Sequence, residues 1–449
     1  MTTMTRPWDE SGLEALTSEL AGSGVELVLG TIVDLAGVTR AKGAPTRRLG
    51  AFHRSGMGAS PSWNVFCVDD GIAFTPSIGV VGDLRLRIDP AAVRRIGDGL
   101  AWGPAEFYSQ DGVPSPGCAR GRLAAVAADA GRLGLSPLMG TELEFTLVDP
   151  DGSMASRIPW SPYGLRPTVE RGRFLADLAR SLEDAGVEAE QLHAEYGVDQ
   201  FEVSLAPSGP VDMADALVLT RLVIGRVAAR HDLAVSFSPV PFIGGAGNGA
   251  HLHLSLARDG APLFGGGDGP HGITADGGSA IAGVVSALPE LLGVYAGSVL
   301  SSTRLKPGNW AGAAACWGLE NREAAVRFLA ATSGNPHGAN VELKCVDPSS
   351  NIYLAAAALL ASALHGIENR LPLPPEVTAA PEHSSHPPVS LATDQATTLD
   401  ALERSELAAA FLGAEIVEGL VAVRRHEAAT FDGQSPESIA EALRFAWSC

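Results

Sequence analysis

GTELEF (140–145), read with its flanks as PLMGTELEFTLV (137–148), decides the fold. Along an extended strand alternate residues leave opposite faces. Glu142 and Glu144 therefore share one face, and Leu143, Phe145 and Leu147 share the other. One side of this strand is core and the other carries two like charges. Two carboxylates held that close need a cation or a shared proton between them. An isolated E-x-E is more often a solvated strand face, so the rest of the chain has to decide.

Three further stretches decide it. HAEYGVDQFE (193–202) sets Glu195 and Glu202 on either side of a Gly-Val-Asp turn. GNGAHLHLSL (247–256) repeats the alternation with His251 and His253, after a glycine turn that lets a ligand approach the backbone. NVELK (340–344) adds Glu342. In order, Glu142, Glu144, Glu195, Glu202, His251 and Glu342 are five carboxylates and one imidazole. That is a donor set for two or three hard divalent cations, Mg2+ or Mn2+, around a phosphate. Arg304 in RLKPGNWAG and Arg322 and Arg327 in NREAAVR supply guanidinium forks matched to phosphate and carboxylate oxygens. Arginines beside clustered carboxylates imply metal-bridged phosphoryl transfer.

Composition narrows the class. The 449 residues set a soft expectation of about three domains, although single domains run longer. Hydrophobic content of 46% supplies a large core. No run of about 18 apolar residues predicts a membrane span, and MTTMTRPWDESG lacks the apolar stretch of a secretory leader. A net charge of −19 disfavours nucleic acid or an anionic membrane as partner. Cys67, Cys118, Cys316, Cys345 and Cys449 are scattered without a CxxC, which suits a reducing, cytoplasmic setting.

Residues 9–21 read as a helix, 25–34, 38–45 and 81–89 as strands, and 64–74 as a hairpin turning at Asp70-Gly71. YSQDGVPSPG (108–117) marks a boundary. Beyond it the pattern predicts helices at 118–133, 169–186, 211–231 and 349–370. It predicts strands at 187–194, 198–206, 234–240, 247–256, 312–318, 322–329 and 339–345. A Pro-rich loop (371–397) and about three closing helices complete it, and the Gly-rich run 263–272 reads as a surface turn. The class is α+β, with a small, strand-rich N-terminal domain over 1–113 and a second domain over 114–449 that carries the acidic stretches.

The chain closely resembles the glutamine synthetase superfamily. The resemblance runs from VDLAGVTRAKG (33–43) through GTELEF, HAEYGVDQFE, GNGAHLHLSL, RLKPG, NR-x4-R and VEL to DPSSNIYLAAAALLASALHGIENRLPLPPE (347–376). It implies an N-terminal β-grasp domain, a catalytic domain built on a curved antiparallel sheet, and homo-oligomeric rings, hexameric or dodecameric. It implies an ATP-dependent ligase acting through a γ-glutamyl phosphate. By the match, Glu144, Glu195 and Glu202 would hold one metal, and Glu142, His251 and Glu342 another. His253 and Ser255 would face ATP, Arg322 and Arg327 the transferring phosphate, and Arg304 with Gly247 the acid substrate. Arg304 and Arg322 would be the catalytic pair.

Departures from the family pattern fall on the amine side. Trp310 stands where ammonia-using members carry the glutamate of a YEAP loop, and Ser60 stands at about the place of the aspartate in GFDGSS. A tryptophan offers apolar area and a cation–π face, which implies an organic amine larger than ammonia. Asn340 and Lys344 replace two arginines around Glu342; lysine keeps the charge without the bidentate fork. The acid is then glutamate or a related amino acid, with Lys344 among its contacts. Two alternatives stay open from the sequence: a non-catalytic ring, and a genuine glutamine synthetase using ammonia.

Overall fold

The computed structural model describes residues 8–156, 159–384 and 387–448. The expected leader-free start (residues 1–7), Cys449 and two residues of the Pro-rich loop, 385 and 386, lie outside them.

Two sheets organise the chain. The first has six strands, in the order Thr39–Pro45, Leu27–Val33, Leu100–Tyr108, Leu84–Ile88, Met57–Ala59, with Arg94–Gly97 also on Leu100–Tyr108. Its central pair, Leu27–Val33 with Leu100–Tyr108, is parallel, and its other pairings are antiparallel. Helix Glu10–Gly22 is capped by Asp9, which accepts from Gly12 N–H, and buries Leu20 beside Val28, Ile32 and Phe107.

The second sheet has ten strands. Its order is Val389–Ser390, Ala314–Leu319, Ala324–Leu329, Asn340–Leu343, Ala250–Arg258, Leu135–Val148, Gln200–Ser208, Ala189–Ala194. Short strands Ala234–Ser236 and Ala261–Pro262 pair with Leu135–Val148 and Ala250–Arg258. The 14-residue strand Leu135–Val148 lies inside the sheet, with Leu143, Phe145 and Leu147 buried as the alternation predicts. The α+β reading holds.

Helices Ala119–Arg132, Pro210–Arg230, Ala275–Tyr295 and Ile352–Glu368 add to the same core. Ala275–Tyr295 is long and apolar enough to cross a bilayer, but 78% of its apolar window is buried inside the protein. It meets Ile352–Glu368 backbone to backbone. A Cβ at Gly283 would fall on the Ser362 carbonyl oxygen, and one at Gly366 on that of Ser279. Glycine at both positions lets the helix axes approach to where larger side chains would hold them apart.

The structure corrects several element readings. Residues 64–74 form no hairpin: Pro61–Asn64 is a 3-10 turn started by Ser60 as cap, and only the bridge Phe66–Ile72 remains, although Asp70 does make the turn at φ 63°. The 169–186 helix divides into Leu165–Glu170 and Gly172–Asp184. Strand Leu100–Tyr108 and helix Ala275–Tyr295 are additions, and four closing helices replace three among the described residues.

Buried polar ties join the two sheets. Arg120 donates to Asp89 and Glu106 on the first sheet's side, and through Nε and Nη2 to Asp215 on helix Pro210–Arg230, where Tyr353 also donates. The carbonyl oxygens of Val33 and Asp34 accept from Asn351, and that of Ala36 accepts from Trp447 and Arg424.

Candidate active site

Strand register assembles the site. His251 lies opposite Glu142, His253 opposite Glu342, and Glu144 opposite Glu202. Each of these residues occupies an alternate position on its own strand, so one face of the sheet collects them.

Glu142, His251 and Glu342 come together as expected. His251 Nδ1 is 3.2 Å from Glu142 and 3.5 Å from Glu342. His253 Nε2 is 3.4 Å from the other oxygen of Glu142, and its Nδ1 faces Asn340 Oδ1 at 2.9 Å. Arg304 Nη2 lies 3.4 Å from His251 Nε2. A guanidinium only donates, so the partners assign the Nε2 lone pair to Arg304 and the N–H to the carboxylate side.

The second group differs from the expectation. Glu195 and Glu202 gather around His193, at 3.4 and 3.2 Å. Glu144, expected as their partner, is instead fixed by Gly249 N–H at 2.8 Å and Gln200 Nε2 at 3.0 Å. The reason is local: Gln200 also donates to Gly247 O and Asn248 Oδ1, so the 247–249 backbone and Glu144 are held as one unit. Glu144 still feels this group, because its charge opposes ionisation of both Glu195 and Glu202.

The electrostatics test whether a cation fits. Burial, then the charges of Glu142 and Glu144, push Glu202 up to about 7. The hydrogen bond to Glu202 pushes His193 up to about 9. Burial opposes charge on His253, yet Glu142 and Glu342 carry it up to about 9. Burial would raise Glu142, but His251 and His253 hold it well below the usual carboxylate range. Crowded carboxylates are recruiting protonated imidazoles as counter-charge, which is the environment a divalent cation relieves. The donor set fits hard divalent ions.

The remaining candidates surround these groups. Arg327 donates to Glu342 at 3.1 Å and to Glu320, while Arg322 is exposed and its charge reaches Tyr163. Lys344 is buried with Nζ 3.1 Å from Glu342, so its charge is spent on that carboxylate. Ser255 donates to Ala339 O. Gly247 and Gly249 leave room for Arg304: a Cβ at Gly247 would lie 3.0 Å from Arg304 Cγ, and one at Gly249 2.7 Å from Nη2. Trp310 is half exposed, with φ 54°. Glu323 accepts from the N–H groups of Gly308 and Trp310 and so fixes that loop. Ser60 accepts from Ser62 N–H and Oγ–H.

Sequence reasoning missed His193, Gln200, Asn248 and Tyr163. His193 carried a readable signal, because it alternates with Glu195 on a strand. Tyr163 hydrogen-bonds Glu195 from a left-handed turn at φ 55° that no local pattern announces.

The sheet brings its acidic strands to one face, with arginines beside them, and that face offers a donor set for divalent cations. The chain belongs to the glutamine synthetase family: residues 116–441 match the model of the glutamine synthetase catalytic domain. It is a ligase of that family. It is 38% identical to gamma-glutamylpolyamine synthetase GlnA3 of Streptomyces coelicolor, over 98% of this chain and 97% of that protein. Among solved structures it is similar to a novel glutamine synthase homolog (TM-score 0.84, 33% identity, 94% of this chain and 98% of that one). It is also similar to a GmaS/ADP complex (TM-score 0.82, 26% identity, 94% and 97%).

Proposed function

We propose that the chain is an ATP-dependent ligase joining the side-chain carboxylate of glutamate, or of a related amino acid, to an organic amine larger than ammonia. The carboxylate oxygen takes the γ-phosphoryl group of ATP, giving an acyl phosphate and ADP. The amine nitrogen then attacks the acyl carbon, phosphate leaves, and the new amide nitrogen loses its proton.

Glu142, His251 and Glu342 would hold one Mg2+ or Mn2+, and Glu195 and Glu202, with His193 or Glu144, the other one or two. Bound there, divalent ions neutralise phosphate charge. Arg322 and Arg327 offset charge on the transferring group, and the buried Arg304 beside Gly247–Gly249 orients the acid. His253 and Ser255 lie on the nucleotide side. Trp310 and Ser60 form the amine side. The ADP-bound similar structure supports a nucleotide in this fold, and the polyamine named for the GlnA3 relative supports an organic amine. We extend the reading to a homo-oligomeric ring in the cytoplasm.

The observation that carries it is the pairing of an intact donor cluster, with Glu142 and Glu342 within 3.5 Å of His251, and a half-exposed Trp310 on the neighbouring loop. Release of ADP and phosphate is measured with glutamate and a panel of amines, ammonia included. Organic amines should give the faster turnover; ammonia alone matching the best of them would refute the amine assignment.

A further inference from the structure

Far along the chain from the carboxylate strands, Cys67, Asp69 and His426 bring three different donors to one place. One ligand atom from each lies within 4.8 Å of the other two. We propose that they form a second metal site, selective for zinc-class ions, which clamps the 65–73 loop to helix Ala414–Thr430.

The loop is prepared for it. Cys67 N–H donates to Gly71 O at 2.9 Å, and Asp70 turns the chain in the left-handed region. Asp69 is held at both oxygens: Gly71 N–H donates to Oδ1 at 3.1 Å, and Thr430 Oγ1 to Oδ2 at 3.1 Å. Such outer partners orient a ligating carboxylate. His426, one helical turn before Thr430, points Nε2 at the same oxygens, at 3.2 and 3.0 Å. A Cβ at Gly71 would lie 2.6 Å from that nitrogen, so the turn admits the imidazole only because glycine stands there.

Charge and softness then select the ion. The Cys67 thiol makes a long contact of 3.8 Å to Val65 O and is approached by Ala73 N–H, which still leaves a sulfur lone pair for a metal. The nearby carboxylates Asp34 and Glu427 are neutralised by Arg40 and Arg424, whereas among the described residues the ion-pair partner of Asp69 is His426 and no arginine or lysine. Burial and Asp69 push the thiol up to about 12; a bound ion reverses this, because coordination deprotonates a thiol. One sulfur, one nitrogen and one oxygen suit zinc and not magnesium, and the part-exposed side of Asp69 and His426 leaves a fourth position for water. Without metal, the same residues form a His–Asp bridge that pins the loop.

Sulfur distinguishes this site from the carboxylate cluster, which has none. Among the described residues no other thiol lies within ligand distance of two further donors. The full-length protein, saturated with Mg2+, is titrated with zinc sulfate and examined by zinc X-ray absorption and equilibrium dialysis. A sulfur scatterer at about 2.3 Å is expected, absent in Cys67→Ala. Zinc affinity should fall in that variant by more than the roughly 10- to 100-fold typical of losing an outer partner. A shell of nitrogen and oxygen only, or equal binding by Cys67→Ala, overturns the site. Should that variant fail to fold, His426→Gln, at a part-exposed position, should bind zinc at least tenfold more weakly, and unchanged affinity overturns the site equally.

Discussion

Among the non-glycine residues in left-handed backbone, Asp199 and Trp310 stand where a glycine would be at ease, and both border the site. Asp199, at φ 52° in the turn between Glu195 and Glu202, is tied to Arg171 at 2.9 Å. That ion pair gives a physical reason for an aspartate in a position whose geometry favours glycine. Trp310, at φ 54°, sits between Gly308 and Gly312, both also left-handed. A bulky residue there is strained unless its surroundings hold it, and the two N–H bonds to Glu323 do so. Trp310→Glu should lower kcat/KM for the organic amine about 5- to 30-fold, the worth of a cation–π contact of about 1–2 kcal/mol. The ratio of ammonia to organic-amine turnover should rise with it; a ratio that stays put removes Trp310 from the amine pocket. Glu323→Ala frees the loop without touching the donor cluster. KM for the amine should rise while KM for ATP stays, and equal changes in both would mean that Glu323 supports the fold at large.

At the scale of elements, the strands were the legible part. Alternation in GTELEF and AHLHLSL is short-range, and the sheet register merely brings Glu142 against His251 and His253 against Glu342. What alternation cannot report is which carboxylate turns away, since Glu144 answers to Gln200 and Gly249 from other segments. Helix Ala275–Tyr295 was illegible for a different reason. It is buried nearly all round, so it has no amphipathic period, and it carries Gly277, Gly278 and an internal Pro289. Strand Leu100–Tyr108 hides behind Gly103-Pro104, a turn signal that tertiary pairing overrides: Gly30 and Thr31 lie opposite those two residues. The helix–helix contact offers a sharp check. Gly366→Val places atoms on the Ser279 carbonyl and within 2.8 Å of Gly283, and overpacking of this kind costs about 1–3 kcal/mol. Gly278→Ala meets Leu373 at an ordinary 3.4 Å and should be tolerated. Denaturant midpoints of the two variants should separate clearly; coincident midpoints would deny the close crossing.

For the whole molecule, the cluster's donors come from five strands, so a bound ion ties together segments far apart in sequence. Ligand that binds only the folded chain stabilises it by about 2.7 kcal/mol at a hundredfold excess over Kd. Mg2+ should therefore raise the melting temperature of the wild type and act weakly on Glu142→Gln/Glu202→Gln; an equal rise in both would place the ion elsewhere. The seam between the sheets depends on a different device. Arg120 is buried and serves Asp89, Glu106 and Asp215 together, while Asp215 is left with Tyr353 alone if the guanidinium goes. Breaking a buried pair by removing one partner costs about 3–5 kcal/mol, because the remaining charge stays desolvated. Arg120→Met should lose stability on that order in denaturant unfolding. Adding Asp215→Asn removes the stranded charge, so the double variant should be less destabilised than the sum of the singles, as expected for residues in one network. Strict additivity would mean that Arg120 holds the seam through Asp89 and Glu106, with Asp215 a bystander.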